Sequence, residues 1–219
     1  MYRTALLTTT ALVALAASGL GGALYAAASL SAAKMPGSAK AKLLYSQNSN
    51  YNGVALGSMN LTSTSSDDNQ VADDFVIPKG KVWTITEVDV SGLYYNGFGP
   101  ANSENVLFYR SANGLPGKPI AKGAYNNLQG SDGDGDFAIT LPGRGLRLRP
   151  GHYWISVVAN MDFDEAGDWG WDLSSTVHGD QAAWRNPGGG YGFCRNWGTL
   201  ENCVGVVADT MFQLRGKSK

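Results

Sequence analysis

The stretch LRLRPGHYWISVVAN, residues 146–160, decides how this chain is read. A short run ends in a Pro-Gly turn, and the clearest strand of the sequence follows. Successive side chains of a strand point to opposite sides. Tyr153, Ile155, Val157 and Ala159 therefore share one face, and His152, Trp154, Ser156, Val158 and Asn160 share the other. That period of two has no helical counterpart. After the leader, no run of ten or more residues has helical spacing free of Gly or Pro.

Working upstream, QVADDFVIP (70–78) is a strand ended by Pro78. In VWTITEVDVSGLYY (82–95) Trp83 and Ile85 share a face, as do Val88 and Val90, but Ile85 and Val88 are three apart. A bulge near Thr86–Glu87 returns both pairs to one core. ENVLFYRS (104–111), PIAKGAY (119–125) and FAITLP (137–142) are further strands; ANGLPGKP and SDGDGD read as turn and loop. Residues 52–69 are polar and read as a loop. Downstream, DWGWDLSS, QAAWRNP and ADTMFQLRG supply the late strands. About ten short strands with turns every 8–12 residues predict an all-β, antiparallel two-sheet sandwich, jelly-roll-like, over residues 43–216. Residues 217–219 remain as a tail.

Composition agrees. The 219 residues hold 29 glycines, nearly twice the usual share of about 7%, and only 16% are charged. The net charge of -1 gives no bulk attraction to nucleic acid or to an anionic membrane. No basic run exists, so nucleic acid is not an expected partner. Residues 1–33 carry one early positive charge, Arg3, and then an uncharged, small and apolar run. This reads as a secretory signal peptide with cleavage near residue 28 or 33. A retained membrane anchor is the alternative, because about 20 apolar residues suffice to span. Residues 34–42 read as a flexible spacer. The chain is thus expected outside the cell or in the periplasm. Its two cysteines, Cys194 and Cys203, then read as one disulfide.

ADDFVIP, WTITEVDVSG, VLFYRSANGLPG, YWISVVANMDF, WGWDLSS, AAWRNPGGGYG and FQLRG occur in that order. Together they resemble a group of secreted bacterial β-sandwich modules found alone or appended to exported proteins. The resemblance spans about residues 43–216 and implies a jelly-roll-like sandwich. It carries no catalytic motif over to this chain.

Three chemistries deserve weighing. Trp169, Trp171, Trp184, Tyr191 and Trp197, with Arg185, could form a carbohydrate-binding surface, since flat rings stack on the apolar faces of sugars. Packing competes for the same rings: at least one of Trp169 and Trp171 is expected in the core, with Trp184 and Trp197 more exposed than Trp83 or Trp154. Asp132, Asp134 and Asp136 begin like a calcium loop, but Phe137 stands where the sharp-turn glycine belongs and Gly143 where the bidentate glutamate belongs. Only a looser calcium site would fit. Asp73 and Asp74 lie inside a strand, so one must face inward and needs hydrogen bonds or a cation. Asp164, Glu165 and Asp168 are the nominees for carboxylate-pair hydrolysis. Neither His152 nor His178 adjoins a nucleophile signature. The expected function is a secreted, non-catalytic module that binds a glycan or a cell-surface protein. A structural or protein-interaction module of the envelope and a small secreted hydrolase are the alternatives.

Overall fold

The computed structural model describes residues 25–27 and 41–219. The expected leader, apart from Tyr25–Ala27, and the spacer before residue 41 lie outside the described residues. In chain order the strands are β1 Tyr25–Ala27, β2 Lys42–Ser46, β3 Tyr51–Gly57, β4 Met59–Leu61, β5 Gln70–Ile77, β6 Trp83–Val90, β7 Gly92–Tyr95, β8 Ser103–Ala112 and β9 Leu115–Leu128. They continue as β10 Ser131–Gly133, β11 Asp136–Thr140, β12 Leu146–Leu148, β13 Gly151–Met161, β14 Asp168–Ser174, β15 Ala183–Arg185, β16 Gly198–Thr199, β17 Asp209–Thr210 and β18 Phe212–Ser218. Two short helices, α1 (Phe163–Ala166) and α2 (Leu200–Val204), complete the regular structure along with one 3-10 turn.

The class is all-β, as the alternation in residues 151–160 requires. Hydrogen bonding divides the strands into three sheets rather than two. The seven-stranded sheet runs β16-β15-β5-β13-β8-β9, with β4 beside β13. The six-stranded sheet runs β10-β11-β6-β18-β2, with β12 on β6. The third runs β1-β3-β14-β17, with β7 on β14. Every pairing is antiparallel except β4–β13.

Aromatic contacts show how the layers meet. Phe75 of β5 stacks on Trp83 of β6 at 6.3 Å, and Trp169 of β14 stacks on Phe137 of β11 at 4.9 Å. Trp171 meets Phe212 of β18 edge-on at 6.2 Å. The six-stranded sheet thus closes one core against both of the others. Tyr153, Ile155, Val157 and Ala159 of β13 lie in that core. The opposite face of β13 is covered too. Trp154 is buried in a second, small cluster with Ala72, Tyr109 and Ala183, flanked by Leu107 and Trp197.

The bulge in β6 is present. Arg215 pairs with Glu87 and Gly216 with Ile85, which leaves Thr86 as the extra residue. Other segments depart from expectation, and the strand segments outnumber the ten expected. Residues 52–69 hold β3 and β4, not a plain loop: Asn, Gly and Ser have low strand propensity, but Ala55, Leu56 and Met59 are buried and pairing with β14 and β13 overrides it. ANGLPGKP contains only a two-residue turn, Asn113-Gly114, both with positive φ as a primed hairpin turn requires. Strand β9 starts directly after it. SDGDGD is likewise a hairpin, β10–β11, turning at Asp134-Gly135.

Candidate functional site

Strand β5 carries two adjacent carboxylates, Asp73 and Asp74, and adjacent strand residues face opposite ways. Both are buried. The inward need foreseen for one of them holds for each, and the two meet it differently. Asp73 Oδ2 accepts from Gln47 Nε2 (2.7 Å) and from the backbone N–H and hydroxyl of Thr210 (2.5 and 3.1 Å). Its Oδ1 accepts from the Asp74 N–H at 2.7 Å.

Asp74 pairs with a histidine, and sheet register explains why. Trp154 of β13 lies opposite Asp74, and His152 lies opposite Val76. His152 and Asp74 are therefore diagonal neighbours on one face, within reach of long side chains. His152 Nε2 hydrogen-bonds Asp74 Oδ2, and the ring lies parallel to Trp154 at 6.4 Å. Asp180, from the loop after β14, approaches from the other side, with Oδ2 3.8 Å from His152 Nε2. Gly179 makes this approach possible. Its φ is +89°, and a Cβ there would lie 2.5 Å from Asp74 Oδ2. Only glycine tolerates both. Among the described residues, Asp74, His152 and Asp180 are the one group of three metal-capable side chains whose donor atoms converge, all within 4.8 Å.

A fourth carboxylate stands behind this trio. Asp209 of β17 is buried; its Oδ2 accepts from the His178 N–H at 2.5 Å and lies 3.4 Å from His178 Nδ1. Both histidines of the chain thus meet buried aspartates. Burial raises Asp74, while the His152 imidazole lowers it. Burial, with Asp74 nearby, pushes Asp209 up to about 7. Burial and then Asp209 push Asp73 well above the ordinary carboxylate range. Among the described residues, no lysine or arginine pairs with any of these four aspartates.

Asp180 also forms part of the wall of an open cavity of about 480 Å³. Asn113, Gln181 and Thr199 add polar groups to that wall, and Val177 and Val207 add apolar surface. Gln181 is held by exchanging hydrogen bonds with Glu201 of α2, to its backbone N–H and carboxylate.

The aromatic candidates fall elsewhere. Trp169 and Trp171 are fully buried in the main core, their indole N–H groups donating to the carbonyls of Gly135 and Met211 (2.8 and 2.9 Å). Trp184, expected to be exposed, is buried between Tyr191 and Phe193. None of the three offers a face to a ligand. Burying a tryptophan removes about 150–250 Å² from water, a gross gain of roughly 4–6 kcal/mol at about 25 cal/mol per Å². That exceeds what one stacked ring offers. Tyr191 is partly exposed but packs on Trp184. Trp197 is partly exposed, edge-on to Tyr109, with the Arg185 guanidinium 4.6 Å above its ring. Arg185 is itself tied to Gln70 Oε1 (2.8 and 2.6 Å). The six candidates therefore form no shared surface.

Asp132, Asp134 and Asp136 are not gathered into a calcium site either. Asp132 accepts from the Tyr94 hydroxyl (2.6 Å) and the Gly135 N–H; Asp134 sits at the exposed turn. Asp136 is buried against Ser91 and Gly92. Alternation within the hairpin and the turn itself send them different ways. Asp164 and Glu165 are exposed on α1, whereas Asp168 is buried and accepts from Asn96. His152 and Asp74 make the base and orienting halves of a triad, but among the described residues the third group in reach is a carboxylate, not a hydroxyl. Cys194 and Cys203 form the expected disulfide, which joins α2 to the preceding loop. Comparison with family models, with curated proteins and with solved structures finds no match for this chain.

Proposed function

We propose that this chain is an exported, non-catalytic binding module that takes a hydroxyl-rich ligand, a carbohydrate, in the cavity beside Asp180. The carrying observation is the wall itself: Asn113, Asp180, Gln181 and Thr199 can donate and accept to hydroxyls, while Val177 and Val207 can meet the apolar face of a sugar ring. A few polar groups converging in a partly apolar cleft are the general form of a small-molecule site. Disulfides persist in oxidising compartments, so the Cys194–Cys203 bond supports an address outside the cytoplasm.

The test is a glycan array followed by calorimetry, with Asn113→Gly and Gln181→Ala as variants. Glycine accepts the φ of 54° at residue 113, so the first variant removes the amide without straining the turn. Each variant should weaken sugar binding about three- to tenfold, the worth of one ordinary hydrogen bond. An array without signal rejects the carbohydrate reading. Phe98 favours the rival, a protein-interaction module of the envelope: it is 95% exposed at the tip of a loop, between Gly97 and Gly99. Under that rival, Phe98→Ser and not Asn113→Gly abolishes binding to isolated envelope.

A further inference from the structure

We propose that Asp74, His152 and Asp180 form a binding site for one divalent transition-metal ion of the zinc type, held by two carboxylate oxygens and one imidazole nitrogen. This does not rest on the carbohydrate reading.

Four observations converge. The first is donor geometry. Donors sharing one zinc at about 2.0–2.2 Å sit roughly 3.4 Å apart in a tetrahedral site. The His152 Nε2 to Asp180 Oδ2 separation of 3.8 Å is a few tenths of an ångström longer, while Asp74 Oδ2 and His152 Nε2, now hydrogen-bonded to each other, part by about an ångström to admit the ion between them. The second is an unmet need. Asp74 is 1% exposed; His152 and the Asp180 backbone N–H meet its carboxylate, yet Oδ1 has no hydrogen bond of ordinary geometry. A buried carboxylate in that condition costs stability unless a cation meets it. The third is charge. Four aspartates, Asp73, Asp74, Asp180 and Asp209, share this region, and among the described residues the only basic groups that pair with any of them are His152 and His178. A dication supplies the missing charge. The fourth is construction. Gly179 lies so close to Asp74 that a side chain there would strike the carboxylate, and the same loop carries Asp180 to His152.

Ligand type selects the ion. One imidazole with two carboxylates suits zinc and its neighbours, whereas calcium takes oxygens alone. Three protein donors leave a position open. Asp180 belongs to the cavity wall as well as to the trio, which sets the ion's site beside the cavity.

The experiment uses the disulfide-bonded chain, stripped with chelator and titrated with ZnCl₂ by calorimetry. In parallel, imidazole nitrogen resonances are followed by NMR. The chain has only two histidines, so His178 serves as an internal control. One zinc per chain is expected, with His152 Nε2 shifting and His178 unmoved. Asp180→Asn, on a partly exposed loop where folding is readily checked by circular dichroism, should weaken binding at least tenfold. CaCl₂ should not compete. Absence of saturable binding, a response at His178 instead of His152, or unchanged affinity in folded Asp180→Asn each overturns the proposal. So does a preference for calcium.

Discussion

Two groups of buried carboxylates in this sandwich solve the same problem differently. On β6, Glu87 and Asp89 are buried, and Arg215 of the neighbouring strand β18 lies against both, its Nε 2.5 Å from Asp89 and 3.6 Å from Glu87. On β5 and β17, Asp73, Asp74 and Asp209 are buried and, among the described residues, have only His152 and His178 as basic partners. Each group contains a buried Oδ1 without a hydrogen-bond partner, on Asp89 in the first and on Asp74 and Asp209 in the second. What separates them is the cation. Arginine is charged at every accessible pH, while a histidine need not be. A carboxylate pair with its own permanent counter-charge is complete as a structural element. One without it is left able to take a cation from outside, and Asp180, which lies against His152 of this second group, also lines the cavity.

The largest expected effect comes from breaking the complete group. Arg215→Met keeps most of the stem but removes the counter-charge from Asp89 and Glu87, both buried. Removing one partner of a buried pair costs about 3–5 kcal/mol. Urea unfolding at pH 8 should show a loss of that size. The corresponding change in the second group should cost less. His152→Gln can still donate to Asp74, so about 1 kcal/mol is expected under metal-free conditions. Equal costs for the two variants would erase the contrast between the groups.

The contrast also explains what was legible. Elements specified by local pattern came through: the alternation of residues 153–159, the bulge at Thr86, and the Cys194–Cys203 pair nine residues apart. Strands β3 and β4 did not, because their Asn, Gly and Ser content speaks for loop and only the partner strands hold them extended. Tryptophan positions were half legible. Alternation placed Trp169 and Trp171 on one face, but which face is inside depends on sheets not yet assembled. The Asp74–His152–Asp180 trio was the least accessible. Asp73 and Asp74 signalled a buried carboxylate, yet the partner His152 lies 78 residues away and meets Asp74 only through the β5–β13 register. Asp180 is delivered by a loop whose one signal is Gly179.

The last effect concerns pH, and it tests whether a carboxylate without a cation behaves as the comparison says. Burial, with Asp136 close by, pushes Asp172 of β14 up to about 7. Burial takes Asp89 only to about 6, because Arg215 holds it down against Glu87. Both folded values exceed the ordinary carboxylate value near 3.8. The folded chain therefore holds these protons more tightly than the unfolded chain does. Their contribution is fully present below about pH 3.8 and is lost as pH rises through 6 for Asp89 and 7 for Asp172. Stability from these groups should accordingly be higher at pH 5 than at pH 8, by on the order of 1–2 kcal/mol once solvent screening is allowed for. Asp172→Asn removes the later part of that decline. The variant should match the parent near pH 4, exceed it at pH 8, and show a shallower slope between. A slope unchanged by Asp172→Asn would move the pH sensitivity to the aspartates facing His152 and His178, and so sharpen the difference between the two groups rather than remove it.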